Sequence, residues 1–217
     1  MNEKKEKVVI VDDHPLFRER LSELINHELD MEVCGEAEDA RHAIEMIRNL
    51  LPDLAIVDIT LKGSSGLELI KSIRELPTAV PVLVLSMHDE SLYAERALRA
   101  GAAGYITKHE SAENVLLAVR RVLAGEVYLS GTLTSAFLKS LAAGLKGTFQ
   151  PLDRLTDREL EILELIGRGR ATRQIAETLG LGMATIDTYR ARIKEKMNFR
   201  SGTELQHFAI RWVRDRE

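Results

Sequence analysis

The chain has 217 residues, of which 45% are hydrophobic and 29% charged, a composition that excludes a largely disordered protein and leaves room for two domains. Its net charge of −4 divides into −6 over residues 1–150 (17 Lys and Arg against 23 Asp and Glu) and +2 over residues 151–217 (13 against 11), which suits an acidic regulatory half and a half that binds a polyanion. Because no signal peptide and no apolar stretch of membrane length can be recognised, we expect a cytoplasmic protein without a membrane partner.

Five short apolar runs alternate with amphipathic stretches over residues 7–124. Strands that are apolar along their whole length are typical of a parallel sheet covered by helices on both faces. Residues 7–124 are therefore predicted to form a doubly wound, flavodoxin-like (βα)5 domain of the α/β class. The apolar runs cover residues 8–11, 33–37, 54–57, 82–85 and 104–106.

Polar side chains follow the predicted strands at the sheet edge where such folds place their functional groups. Asp12 and Asp13 follow the first strand and Asp58 follows the third, so three carboxylates are expected to share one small pocket. Carboxylates this close repel one another unless a cation neutralises them, and ligation by oxygen atoms and water favours Mg²⁺. Ser86 ends the fourth strand and Lys108 follows the fifth, which adds a hydroxyl and a cation able to hold phosphoryl oxygens.

Each of these residues also has an ordinary structural interpretation. An aspartate after a strand is more often a helix cap than a ligand, and a lone lysine is usually solvated. Suitable groups at the ends of four different strands are much less probable by chance, so the combination favours a functional pocket.

The sequence resembles the receiver domains of two-component response regulators over residues 7–124. The resemblance rests on the acidic pair in VVIVDDH, Asp58 in LAIVDIT, Ser86 in VPVLVLSMHDE, and Tyr105 with Lys108 in GAAGYITKHE. The separations of 28 residues from Asp58 to Ser86 and of 50 from Asp58 to Lys108 also suit this family. The resemblance implies that a sensor histidine kinase phosphorylates Asp58 and that the chain has no enzyme activity beyond autodephosphorylation.

The resemblance further implies a Mg²⁺ site, in which Asp13, Asp58 and the backbone carbonyl of Thr60 bind the ion and Asp12 acts through water. Dehalogenase-type phosphatases also use phosphoaspartate chemistry, but they need a second acid two residues after the nucleophile, where this chain has Thr60. The alternative is an interaction module of receiver fold that works without phosphorylation. Such a module would lack one of the pocket groups, and a metabolic flavodoxin-like protein would not explain the second domain.

By the same resemblance, Ser86 and Lys108 would hold the phosphoryl group, and Tyr105 would turn inward as a conformational switch. Two positions depart from many relatives. Lys62, in DITLKGSSG, replaces a proline, which should alter the stiffness of the loop beside the phosphorylation site. His109 also stands where many receivers have proline.

The C-terminal part of the chain has a different character. Residues 125–151 contain several glycines around a weakly amphipathic piece at residues 133–145, which we interpret as a linker with one helix. Residues 152–217 are predicted to be a four-helix, all-α domain. Its first helix begins at a capping box of Thr156 and Glu159, and the other helices cover residues 172–179, 184–197 and 203–213. The glycine-containing turn between the second and third predicts a helix-turn-helix over residues 172–197.

Residues 152–213 resemble the LuxR-type tail of the NarL/FixJ response regulators, through LTDRELEILELIGRGRATRQIAETLGLGMATIDTYRARIKEKM and TELQHFAI. The resemblance implies binding of double-stranded DNA with the helix at residues 184–197 in the major groove. Because helix-turn-helix proteins usually bind paired half-sites as dimers, we expect a homodimer when the protein is phosphorylated or on DNA. The positions implied to contact DNA are Arg173, Thr185, Asp187, Thr188, Arg190, Ala191, Arg192, Lys194 and Lys196.

Two features of this helix depart from the family pattern. Gly182 replaces the usual Ser or Thr cap, and Asp187 replaces a lysine at a base-contact position. Asp187 could accept a hydrogen bond from cytosine N4, or it could merely cap the helix from its first turn. Thr188 and Ala191 could contact thymine methyl groups. For the basic residues, an ordinary solvated helix face is the alternative.

Overall fold

The computed structural model describes residues 4–88, 90–131, 133–134 and 151–215. The chain divides into two compact units, residues 1–142 and 143–217, each described below by itself. The division lies outside the described residues, as does nearly all of the helix predicted at residues 133–145, so the linker and the domain boundaries stay predictions. Among the described helices, none combines the length and the apolar character needed to span a membrane.

A five-stranded parallel sheet forms the centre of the first unit, which confirms the predicted α/β fold. Its strand order is β2-β1-β3-β6-β7, with the first strand between the second and the third. Residues 8–11 of β1, all of β3 and all of β6 are buried, because helices cover the sheet on both sides. The strands are β1(Glu6–Val11), β2(Met31–Ala37), β3(Leu54–Val57), β6(Val82–Ser86) and β7(Gly104–Thr107).

Four helices connect these strands, and a fifth follows the last strand. Leu21 and Ile25 of α1 share one core cluster with Val115 and Val119 of α5, together with alternate strand residues such as Ile10. Since successive strand residues point to opposite faces, the remaining helices cover the other face. The helices are α1(Pro15–Asn26), α2(Ala40–Leu50), α3(Gly66–Arg74), α4(Glu90–Ala100) and α5(Ala112–Leu123).

A small hairpin that the sequence analysis did not predict follows β3. Its strands are β4(Thr60–Leu61) and β5(Ser64–Ser65), and Lys62 and Gly63 form the two-residue turn between them. Gly63 has a φ of +73°, as the third position of a type II turn requires, and proline is common at the second position. Lys62 occupies that second position, so the backbone of this turn is compatible with a proline there.

The second unit is helical. A 3-10 turn, Pro151–Arg154, precedes α6(Asp157–Gly167), α7(Thr172–Leu179), α8(Met183–Met197) and α9(Gly202–Arg214). The predicted capping box is confirmed: the N–H of Glu159 donates to the Thr156 hydroxyl, and the N–H of Thr156 donates to the Glu159 carboxylate at 2.7 Å. Helices α7 and α8 meet at a turn through Gly180, whose φ is +63°.

Candidate metal centre and nucleic-acid interface

The carboxylates predicted to converge do so at the carboxyl edge of the sheet. Val11 of β1 pairs with Val57 of β3, so the residues that follow these two strands lie level with each other. The Asp58 N–H donates to the Val11 carbonyl at 2.9 Å, which fixes the backbone at this point. Asp12, Asp13 and Asp58 are all buried, with exposed fractions of 3%, 8% and 3%. The parallel register therefore places three acids in one pocket.

Lys108 is the cation of this pocket. Its Nζ lies 2.5 Å from Asp12 Oδ2 and 2.6 Å from Asp58 Oδ2, and its side chain is 2% exposed. The Lys108 N–H donates to the Ser86 carbonyl at 2.8 Å, so the edge of the β6–β7 pair holds the lysine in place. One lysine against three carboxylates leaves the pocket with an excess of negative charge.

The excess charge changes the proton affinity of the acids. Burial raises the pKa of Asp58, and Asp12 adds to the increase, while the Lys108 ammonium opposes it. Burial also raises the pKa of Asp13, with repulsion from Asp58 and Asp12 acting in the same direction and His14 acting against it. Ionising all three acids at neutral pH is therefore unfavourable without a further cation.

The residues of the pocket fit a divalent cation. Asp12, Asp13, His14 and Asp58 each offer one ligand atom, and these four atoms lie within 4.8 Å of one another. The Oδ1 of Asp13 is buried and accepts no hydrogen bond, which is unfavourable for an ionised carboxylate unless a cation binds it. Three of these side chains are the predicted acids, and His14 was not predicted from the sequence.

Thr60, Ser86 and Tyr105 all form hydrogen bonds with His88. The Thr60 hydroxyl lies 2.7 Å from His88 Nε2, and the Thr60 N–H donates weakly to Asp58 Oδ1 at 3.4 Å. Ser86 is fully buried, and its hydroxyl accepts from the His88 N–H at 3.3 Å. The Tyr105 hydroxyl donates to the His88 carbonyl at 3.0 Å, so the ring already lies inside the fold. His88 was not singled out in the sequence, although it lies two residues after Ser86.

The second unit presents one face of α8 to solvent. The exposed residues recur with helical spacing, whereas Ile186 and Ile193 are buried on the opposite side. The exposed set includes Thr185, Asp187, Thr188, Ala191 and Arg192. This face therefore contains all the positions for which the sequence suggested base contacts.

The basic residues of α8 that were predicted to contact DNA differ in whether their charges are paired. Lys196 Nζ lies 2.6 Å from a carboxylate oxygen of Glu159, a residue that is only 2% exposed, so this lysine binds α8 to α6. Arg190 reaches toward the Thr172 hydroxyl at 3.5 Å, whereas Arg192 and Lys194 form no ion pair with any described residue.

The alternative interpretation of Asp187, as a cap in the first turn of its helix, is wrong. Helix α8 begins at Met183, one residue earlier than predicted, and has Gly182 as its N-cap. Asp187 lies beyond the first turn, and no side chain caps this helix. Arg173, on α7, is exposed and pairs with Glu177 one turn later at 3.0 Å.

Comparisons with known proteins agree with this architecture. Residues 8–120 match the response regulator receiver domain, and residues 153–209 match the bacterial regulatory proteins of the luxR family. The oxygen regulatory protein NreC of Staphylococcus epidermidis is 35% identical over 211 residues, covering 94% of this chain and 97% of the relative.

Solved structures of response regulators share the fold of all or part of this chain. A two-component response regulator of the LuxR family from Aurantimonas is 32% identical, with a TM-score of 0.60, and the match covers 64% of this chain and 99% of that one. RcsB from Salmonella enterica, solved on promoter DNA, shares the fold with a TM-score of 0.62 at 23% identity over 95% of this chain and 99% of that one. The chain belongs to the two-component response regulators, with a receiver domain followed by a DNA-binding domain of the luxR type.

Proposed function

We propose that Asp58 is the phosphoacceptor through which a sensor histidine kinase switches this regulator. The observation that carries the proposal is the contact between the buried Asp58 carboxylate and Lys108 Nζ at 2.6 Å, within a pocket that also contains Ser86 and two further carboxylates. Lys108 also contacts Asp12, so the assignment to Asp58 rests further on its position at the end of β3, between β1, which Asp12 and Asp13 follow, and β6, which ends at Ser86. The pocket is therefore suited to receive a phosphoryl group on Asp58.

The proposed reaction is a displacement at phosphorus. A carboxylate oxygen of Asp58 attacks the phosphorus of the kinase phosphohistidine, the P–N bond breaks, and the imidazole nitrogen retains the electron pair. Lys108 would turn from the carboxylates to the new phosphoryl oxygens, and the Ser86 hydroxyl would donate to them. Hydrolysis of the acyl phosphate on the chain itself would end the signal, with no other enzyme activity.

The metal of this site is proposed to be Mg²⁺, held by Asp13, Asp58 and the Thr60 carbonyl, with Asp12 acting through water. Its chemistry would be to neutralise charge on the phosphoryl oxygens and to orient them. The support is the excess of carboxylates over cations and the buried Asp13 Oδ1, which accepts no hydrogen bond. Tyr105 is proposed to respond to phosphorylation through the His88 segment that joins it to Ser86.

Phosphoacceptance can be tested by mass. The full chain is incubated with Mg²⁺ and acetyl phosphate, and intact mass is followed over time for wild type, Asp58→Asn and Asp53→Asn. Asp53 accepts a hydrogen bond from Lys7 outside the pocket and serves as the matched control. Wild type and Asp53→Asn should gain one phosphoryl group. Uptake by Asp58→Asn at the wild-type rate would refute the assignment.

The DNA partner is proposed to be the major groove of double-stranded DNA, read by the exposed face of α8. The isolated positive charges of Arg192 and Lys194 support phosphate contacts there more strongly than Lys196, whose ammonium is paired with Glu159. Arg173 and Arg190 are proposed to add backbone contacts, and Thr185 to lie beside the base-contacting residues. RcsB, solved as dimers on DNA, supports a dimeric binding mode, and a DNA-bound regulator is expected in the cytoplasm.

Two variants separate phosphate contact from base readout. Lys194→Ala should weaken binding to specific and non-specific DNA alike and reduce the salt slope by about one unit. Asp187→Ala should leave non-specific binding unchanged or stronger, because a negative charge near DNA is removed, and relax preference at one base pair by about 1–3 kcal/mol. Selection of bound sites from random DNA measures the change in base preference. An unchanged sequence preference for Asp187→Ala would exclude base readout by this residue.

Dimerisation is proposed to follow phosphorylation. Light scattering with and without beryllofluoride should show a rise in mass toward that of a dimer when the pocket is filled. A mass that stays monomeric in both states and on DNA would contradict the proposal.

A further inference from the structure

We propose that His14 is a fourth protein ligand of the cation in the acidic pocket, and that its imidazole makes the site bind a first-row transition ion such as Co²⁺ more tightly than Mg²⁺. The inference rests on the proposed cation site, and it adds a nitrogen donor to a ligand set otherwise made of oxygen. It thereby determines which class of divalent ion the regulator prefers.

The distances from His14 match those within a coordination sphere. Its Nδ1 lies 2.9 Å from Asp13 Oδ1, 3.2 Å from Asp12 Oδ1 and 3.9 Å from Asp58 Oδ2. In an octahedral complex with bonds of about 2.1 Å, adjacent ligand atoms are roughly 3 Å apart and opposite ones roughly 4 Å. The nitrogen therefore lies at the spacing of an adjacent ligand from Asp13 Oδ1 and close to that of an opposite ligand from Asp58 Oδ2, the two carboxylates proposed to bind the ion directly.

A second observation concerns Asp13. Its Oδ1 is the buried oxygen that accepts no hydrogen bond, although His14 Nδ1 is only 2.9 Å away. The ring nitrogen is instead aligned with Asp12 Oδ1, at 3.2 Å. When the imidazole is neutral, its nitrogen and a carboxylate oxygen at this distance can both bind one cation. The buried oxygen thus points to a ligand position shared with the imidazole.

The backbone fixes His14 in this position. The residue precedes Pro15, which restricts it to extended conformations, and its φ and ψ of −95° and 102° fall in that region. Its N–H donates to Asp12 Oδ1 at 2.9 Å, so the main chain is tied to the acid cluster. The side chain remains 60% exposed, which leaves the ring accessible from solvent on the side away from the acids.

The chemistry of the donor atoms sets the selectivity. Carboxylate, carbonyl and water oxygens suit Mg²⁺, whereas imidazole nitrogen adds affinity for ions later in the first transition row. Removing the imidazole should therefore cost Co²⁺ affinity and leave Mg²⁺ affinity, which depends on the carboxylates, nearly unchanged.

Calorimetric titration of the untagged full chain with Co²⁺ and with Mg²⁺ tests the proposal, using wild type, His14→Ala and His42→Ala. His42 is the matched control, because its Nδ1 also lies against a carboxylate, Asp39 Oδ2 at 2.7 Å, but on the exposed surface of α2. Wild type and His42→Ala should bind Co²⁺ more tightly than Mg²⁺. His14→Ala should lose Co²⁺ affinity by roughly tenfold or more while its Mg²⁺ affinity changes by less than about twofold.

A second readout shows ligation directly. In proton NMR spectra of the Co²⁺-loaded chain, a ligating imidazole gives a strongly shifted, exchangeable N–H resonance. That resonance should be present in wild type and His42→Ala and absent in His14→Ala.

The outcomes distinguish the inference from the proposed cation site. Equal affinity of wild type and His14→Ala for Co²⁺, or a gain of affinity for both ions in His14→Ala, would overturn the inference and leave the cation site intact. The gain would mean that His14 only screens the acids. Failure of the unaltered chain to bind either ion would overturn both proposals.

Discussion

Replacing Asp13 by asparagine should stabilise the metal-free receiver. Asparagine keeps the shape of the side chain and removes one of three buried negative charges, and Asp13 makes no hydrogen bond through Oδ1 that would be lost. The pKa of Asp13 is raised by burial and by its acidic neighbours, so its charged form destabilises the folded state. For an acid with a raised pKa, this penalty is complete above the folded-state pKa and disappears as the pH falls below the ordinary value of 3.8.

The size of the effect follows from the pocket geometry. Ligand atoms within 4.8 Å of one another repel by about 3.5 kcal/mol per pair of unit charges at an effective dielectric constant near 20. Asp13 is repelled by Asp12 and Asp58, while attraction to His14 and Lys62 offsets part of the sum. We therefore expect the free energy of unfolding to rise by about 1–3 kcal/mol at pH 7. In a domain of this size, each kcal/mol corresponds to a rise of roughly 4 °C in Tm.

Scanning calorimetry in EDTA measures this gain. The transition to follow is the one that shifts when Mg²⁺ is added to wild type, and Glu19→Gln on the exposed side of α1 controls for the loss of one charge. The advantage of Asp13→Asn should shrink as the pH is lowered toward 4, because the wild-type acid becomes protonated. It should also shrink in saturating Mg²⁺, which stabilises wild type through binding. A Tm in EDTA at pH 7 equal to or below that of wild type would refute the reasoning.

Three further substitutions and one control variant test backbone features. Gly66→Ala would place a Cβ 1.9 Å from the Asp58 carbonyl oxygen, so it should lower the Tm of the receiver and slow phosphate uptake from acetyl phosphate, both measured on the same sample. Gly167→Ala would place a Cβ 2.5 Å from a backbone oxygen of α9, so it should lower Tm by calorimetry, whereas Gly202→Ala, with no atom within 4 Å, should not. Lys62→Pro should fit its turn and raise stability by about 0.4–1 kcal/mol in urea unfolding, and a loss of stability would contradict the assigned turn.

The sheet and most of the pocket could be predicted because local sequence encodes them. A polar residue directly follows each apolar run. The strand order of a doubly wound sheet then brings Asp12 and Asp58 to the same edge. The hairpin after Asp58 was missed because its strands contain only two residues each, too few to show any periodicity. Gly63 gives a turn signal there, but a glycine alone does not reveal pairing between Thr60 and Ser65.

Contacts made by side chains from distant elements could not be predicted. His88 looks like an ordinary loop residue in the sequence, and its hydrogen bond to Thr60 depends on how the loop after β6 packs on the hairpin. Lys196 carries the positive charge expected of a DNA-contacting residue, and only the packing of α8 on α6 pairs it with Glu159. Charge and helical spacing in the sequence predict that α8 faces DNA. Which of its lysines and arginines remain without an ion pair depends on how α8 packs on the other helices.

Glu159 performs two tasks that are usually separate. Burial alone would raise the pKa of its carboxylate, but bonds from Lys196 and from the Thr156 N–H outweigh this effect and lower the pKa below its ordinary value. The same side chain thus closes the first turn of α6 and anchors the C-terminal half of α8. A chimaera that joins this output domain to a foreign receiver therefore needs its junction upstream of Thr156, since a junction inside the capping box would loosen α8 more than thirty residues away.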